Sequence, residues 1–132
     1  MIKTLYFLFF VVIFSLGLWA CSEKPKDKFT NLNSDQFEQL IQDPNIQLVD
    51  VRTLAEYTEG HLPGSLQLNV LDTEFAACAD SLLEPGRPVA VYCKSGRRSR
   101  KAAKVLCEKG FKVYNLDKGF LDWKELGKDI EQ

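Results

Sequence analysis

The chain has 132 residues, with 17 Lys plus Arg against 18 Asp plus Glu and a formal net charge of −1. That balance excludes a strongly basic nucleic-acid surface, and a single histidine excludes a histidine-built metal site. Length and a 45% hydrophobic content suffice for one domain with its own core.

The first 20 residues stand apart from the rest. Lys3 is the only charge before a run from Leu5 to Ala20 that is almost wholly apolar. A positive start followed by an apolar stretch reads as an export signal over residues 1–20. The run ends Leu18-Trp19-Ala20-Cys21, which resembles the bacterial lipobox; that resemblance implies lipidation of Cys21 as the mature N-terminus. The alternative is an uncleaved anchor, although a membrane span needs about 20 apolar residues. Either way the domain is expected in the cell envelope, facing the periplasm and held to a membrane, with inner or outer membrane left open. Residues 21–28 follow as a lipidated N-terminus and a polar, proline-containing tether. The domain is expected over 29–132.

Phe29 to Leu32 predicts a short strand. Ser34 is the expected N-cap of a helix through Gln42, with Phe37, Leu40 and Ile41 on one face and Pro44 as its stop. Ile46 to Val51 predicts a strand with a polar end, and Leu54 to Thr58 a short helix closed by Gly60. Leu66 to Val70 alternates as a strand does. Asp72 or Thr73 is expected to cap a helix reaching about Leu83, whose apolar face includes Phe75, Ala79 and Leu82. Glu84 to Pro88 is a turn. Pro88 to Tyr92 reads as a buried strand, Ser99 to Glu108 as a helix stopped at Gly110, and Phe111 to Leu116 as a last strand. Gly119 to Lys124 opens a final helix that ends by Gly127. Strands alternating with helices predict an α/β fold, a mainly parallel central sheet with helices on both faces. In such sheets ligands bind at the carboxyl ends of the strands.

Cys93 stands at one of those ends. The loop Lys94-Ser95-Gly96-Arg97-Arg98 links the buried strand to the helix start. Backbone N–H groups and the positive end of a helix dipole then converge on one sulfur, and two arginines add fixed charge. All three favour thiolate over thiol, and the same donors would hold an anion beside it. The implied chemistry is attack by a thiolate on an anionic substrate. A buried inert thiol is the structural alternative, and it has no need of Gly96, Arg97 and Arg98 beside it.

Strand-Cys-x-x-Gly-x-Arg-helix resembles the active-site loop of a single-domain rhodanese, a sulfurtransferase. Cysteine-loop phosphatases and arsenate reductases are similar but place arginine one residue later, where this chain has Ser99. The six-residue loop resembles the sulfur-transferring members. Asp50-Val51-Arg52 followed by Gly60-His61-Leu62-Pro63-Gly64-Ser65 is a second match to that family. Asp50 and Arg52 read first as a structural clamp, with a charge near the sulfur as the functional alternative. His61 reads as structural, with a catalytic base as the alternative. Asp117-Lys118-Gly119-Phe120 followed by Trp123 resembles the closing motif, with Lys118 in place of its first glycine.

The resemblance implies a rhodanese-like three-layer sandwich over roughly Phe29 to Gly127. It also implies sulfur transfer through a persulfide on Cys93, from a small anionic donor such as thiosulfate to a thiol or to cyanide. Lys94, Ser95, Gly96, Arg97 and Arg98 would form the substrate loop. No cofactor and no metal are implied; the expected partners are the donor, a thiol acceptor and a redox or sulfur-acceptor protein. Two rival functions stay open: a non-catalytic binding module on the same fold, and a phosphatase or arsenate reductase. Cys78 and Cys107 fall in helices with no basic loop beside them and read as free thiols. The alternatives are a Cys78–Cys107 disulfide, or one of the pair resolving a Cys93 persulfide.

Overall fold

The computed structural model describes residues 28–132. The expected export signal over 1–20, the lipid-bearing Cys21 and the tether through residue 27 lie outside the described residues. The elements run β1 (Thr30–Leu32), α1 (Ser34–Leu40), β2 (Gln47–Asp50), α2 (Leu54–Glu59) and β3 (Leu66–Gln67). They continue with α3 (Phe75–Leu82), β4 (Val89–Tyr92), α4 (Arg97–Glu108), β5 (Val113–Leu116) and α5 (Gly119–Glu125). The strands form one sheet in the order β1-β5-β4-β2-β3, and every pairing is parallel.

β4 is the central strand because its side chains suit burial on both faces: Val89, Ala90, Val91 and Tyr92 are all fully buried. Alternation sends them to two cores. Val89 and Val91 pack with Phe75 and Ala79 of α3 and with Ala102, Ala103 and Leu106 of α4. Ala90 and Tyr92 pack with Phe37 of α1 and with Phe120 and Trp123 of α5. The expected three layers are therefore present. From β2 the chain moves outward to β3, whereas from β4 it moves the other way to β5. The carboxyl ends of β2 and β4 thus flank a topological switch point, where open α/β sheets bind ligands. Asp50 ends β2, and Cys93 follows β4.

Several boundaries differ from the sequence expectation for local reasons. Asn33, not Ser34, caps α1: its side chain accepts from the Gln36 N–H, and Gln36 Oε1 accepts from the Asn33 N–H. Ser34 instead donates to Asp122 Oδ2 at 2.6 Å and ties α1 to α5. The third strand is regular only over Leu66–Gln67, although the Leu68 and Val70 N–H groups still bond the Asp50 and Val51 carbonyls at 2.8 and 3.1 Å; there Asn69 turns the chain by accepting from the Leu71 N–H. Neither Asp72 nor Thr73 caps α3. Glu74 holds the cap position without a side-chain bond. α4 begins at Arg97 rather than Ser99 because Gly96 adopts φ +96° and serves as its cap. β5 begins at Val113, since the Phe111 N–H still bonds the Leu106 carbonyl at the end of α4.

Candidate active site

Cys93 is 1% exposed. The Gly96 N–H donates to its sulfur at 3.1 Å, so the chain curls back on the thiol within three residues. That curl requires Gly96 twice. Its φ is left-handed, and a Cβ there would run into the Asp117 carbonyl oxygen. Ser99, fully buried, places its Oγ 3.4 Å from Cys93 Sγ while donating to the Gly96 carbonyl at 3.1 Å. A hydroxyl is a rotor. It accepts from a thiol and can turn to donate to a thiolate. The sulfur therefore faces a backbone N–H, a hydroxyl and the positive end of a three-turn helix.

The loop is held from behind by α5. The Phe120 N–H bonds the Cys93 carbonyl at 2.9 Å, and the Leu121 N–H bonds the Lys94 carbonyl at 3.1 Å. Gly119 makes that approach feasible, since a Cβ there would strike the Lys94 carbonyl. The closing motif thus builds the wall behind the thiol loop.

The second motif fixes the strand that carries Cys93. The Tyr92 hydroxyl accepts from the Leu62 N–H at 3.0 Å and lies 3.1 Å from Ser65 Oγ. Burial pushes the Tyr92 phenol well above its ordinary range, so it stays neutral. Arg52 forks onto Asp50, with its Nη2 2.6 Å from Oδ2, and also donates to the Gly60 carbonyl at 2.7 Å. Its guanidinium lies 4.2 Å from the Phe120 ring centroid. Burial opposes the Arg52 charge, but the hydrogen bonds and charge of Asp50 outweigh it and leave the pKa raised. Asp50 and Arg52 form the clamp that the sequence favoured. His61 stacks on Tyr57 at 3.7 Å, with its Nδ1 2.9 Å from the Tyr57 carbonyl and its Nε2 3.4 Å from the Glu131 carboxylate, so both ring nitrogens face groups of the fold.

The two arginines lie in the first turn of α4 rather than in a loop, and they part company. Arg98 forks onto Glu56 at 2.7 and 2.9 Å. Those bonds hold the Glu56 carboxylate down at about 2, and Glu56 in turn raises Arg98. Glu56 also closes a capping box with Thr53, so one carboxylate starts α2 and anchors α4. Lys94, Ser95 and Arg97 are exposed at the rim. Among the described residues no carboxylate pairs with Lys94 or Arg97.

The sequence reading missed Ser99 as a partner of the sulfur, Glu56 as the anchor of Arg98, and Gly119 as the site of closest approach. The signals were present as a serine one turn into the helix, an acid beside Tyr57 and a glycine in the third motif. Cys78 and Cys107 are free and partly exposed. Among the described residues no group of three or more His, Cys, Asp or Glu is placed to hold a metal.

The family model for the rhodanese-like domain matches residues 33–126. The chain belongs to the rhodanese family. A thiosulfate sulfurtransferase GlpE of Shewanella oneidensis is 37% identical over 98 residues, covering 74% of this chain and 94% of the relative. A sulfurtransferase of Allochromatium vinosum is 34% identical over 101 residues, 75% of this chain and 92% of the relative. The solution structure of a rhodanese-like domain from Anabaena sp. superposes with a TM-score of 0.68 at 26% identity, covering 76% of this chain and 77% of that one. This rhodanese domain therefore has relatives named for sulfur transfer, which support a sulfurtransferase activity of the rhodanese type.

Proposed function

We propose that Cys93 is the nucleophile and carries sulfur as a persulfide. The observation that carries this reading is the Gly96 N–H aimed at Cys93 Sγ, 3.1 Å away, at the mouth of α4. The Cys93 thiolate attacks the outer sulfur of thiosulfate. A sulfur–sulfur bond to Cys93 forms, the bond to the sulfonate sulfur breaks, and sulfite leaves with the electron pair. The persulfide keeps the negative charge and sits among the Gly96 N–H, the Ser99 hydroxyl and the first turn of α4. A second nucleophile, a thiolate or cyanide, attacks the outer sulfur and returns Cys93 as thiolate. Burial of Cys93 favours a small donor, and the cationic rim of Lys94 and Arg97 favours an anionic one.

Intact-protein mass spectrometry of the full chain in mild detergent tests this, before and after thiosulfate. One added sulfur, removed by cyanide and absent from Cys93→Ser, is the expected result. Equal gain in the variant, or no gain with thiosulfate or polysulfide, refutes it.

The leader supports a further part of the proposal, a lipid on Cys21 that holds the domain to the envelope membrane. Incorporation of labelled palmitate that is lost in Cys21→Ala is the expected result. Labelling that survives the substitution argues against it.

A further inference from the structure

The near-balanced charge of the chain is not spread evenly over the fold. α4 carries Arg97, Arg98, Arg100, Lys101 and Lys104 against a single acid, Glu108. Arg98 is committed to Glu56. The other four cations and Glu108 fall at helical spacing and are all exposed, because Ser99, Ala102, Ala103 and Leu106 take the buried side of the helix. The outer stripe of α4 is therefore cationic from Arg97 to Lys104. Arg100 shares its charge with Asp117 at 2.9 Å. Arg97 and Lys101 form no ion pair among the described residues. The opposite layer of the sheet has the reverse character. α1 and α5 carry Asp35, Glu38, Asp122 and Glu125 against Lys124, and Lys128 is drawn to Asp35 and Glu38.

The chain enters the domain at the far end of this stripe. Phe29 is buried in the same core as Leu106 and Val113, and Cys107 in the last turn of α4 packs against that core. The Lys28 charge reaches the Cys107 thiol. Only seven residues, 21–27, separate Lys28 from the apolar run that ends at Ala20. Fully extended, such a stretch reaches about 25 Å. The 12 residues of α4 span about 18 Å. A bilayer that holds the N-terminus therefore lies within reach of the whole stripe.

The stripe offers charge and no large apolar side chain, so it suits adsorption at a charged surface rather than insertion. We propose that the outer face of α4, from Arg97 to Lys104, lies on a membrane surface bearing anionic phospholipid headgroups. The proposal rests on the envelope-anchor reading, which brings that surface near, and assigns the side of the domain that meets it. The contact is electrostatic. Each cation within a Debye length of about 10 Å strengthens adsorption about fivefold, and salt weakens it. The acidic layer of α1 and α5 then faces away from the membrane.

The test separates the face from the anchor. The full chain is added from mild detergent to preformed vesicles of phosphatidylcholine, alone or in equal parts with phosphatidylglycerol. Its lysines are reductively methylated and read by mass spectrometry. On the anionic vesicles Lys101 is expected to react about fivefold or more slowly than on phosphatidylcholine, and Lys124, in the opposite layer, less than about twofold more slowly; high salt restores Lys101. Equal reactivity of Lys101 on the two vesicles, or equal protection of Lys124, overturns the proposal. Protection of Lys101 that appears on phosphatidylcholine alone and rises with protein concentration also overturns it, and assigns the stripe to the acidic layer of a second copy. A second arm measures flotation. Flotation with phosphatidylcholine in high salt reports the anchor alone. If that fails, the anchor reading fails, and flotation with the anionic vesicles in low salt decides the stripe. It is expected to weaken about fivefold or more in Lys101→Glu and less than about twofold in Lys124→Glu, which makes the same change in net charge. No flotation, or equal weakening by the two variants, overturns the proposal.

Discussion

Cys93 lies just before the first turn of α4 and Cys107 lies in its last turn, so one helix separates two thiols. Cys93 is the more buried, at 1% exposed. Burial by itself penalises a thiolate, and it pushes the Cys107 thiol up. Among the described residues no N–H or O–H donor reaches the Cys107 sulfur, and the negative end of the helix lies beside it. Cys93 has the Gly96 N–H, the Ser99 hydroxyl and the positive end of the same helix. On the proposed reading, what sets the Cys93 sulfur apart from that of Cys107 is the Gly96 N–H and the helix start aimed at it, not its depth.

The most direct way to break this contrast is to exchange the sulfurs. Cys93→Ser is expected to abolish sulfur loading and cyanide-dependent turnover, while Cys107→Ser keeps turnover within about twofold of the parent. Equal losses in the two variants would show that position on the helix does not matter. Next come the glycines at the two ends of α4. Gly96 and Gly110 have nearly the same backbone, φ +96° and +92°, but only Gly96 faces a carbonyl where a Cβ would go. Gly96→Ala is expected to cost about 3 kcal/mol or more and Gly110→Ala about 1 kcal/mol, read by urea unfolding.

The contrast sharpens at Ser99. Ser99→Ala leaves the Gly96 N–H in place and removes only the hydroxyl at the sulfur. Sulfur loading is expected to slow about tenfold, with partial recovery in Ser99→Thr. An unchanged loading rate would assign Ser99 to the Gly96 carbonyl alone. The smallest effect concerns the anchor of α4. The folded Glu56 carboxylate titrates near 2 against an ordinary 4.5, so its bond to Arg98 stabilises the fold above pH 4.5 and is lost as pH falls toward 2. Glu56→Gln is expected to cost about 1 kcal/mol at pH 7, and the gap to the parent should close over that acidic window in thermal unfolding.

What the sequence disclosed about the fold and the site follows how far each signal extends along the chain. The strand before Cys93, the glycine after it and the helix beyond are local, and all three were legible. The Asp50–Arg52 clamp was legible because its partners are two residues apart. The Arg98–Glu56 pair spans 42 residues, and no periodicity in either segment points to the other. The contact between Gly119 and Lys94 is a meeting of backbones, and backbones have no side-chain code. The early start of α4 was hidden for a related reason. A glycine cap works through its dihedral angle, while the side chains of Arg97 and Arg98 read equally well as loop.

The bonds from Phe120 and Leu121 to the carbonyls of Cys93 and Lys94 also set a timetable for synthesis. A ribosome completes Cys93 well before it reaches Gly119. Until α5 emerges, the thiol loop has no wall to close against, and its cysteine is an ordinary residue on an unfinished polypeptide. A chain stopped before Gly119 is expected to show no sulfur loading under conditions in which the complete chain loads. On the proposed reading, the thiol loop gains its wall only once α5 has been added to the chain.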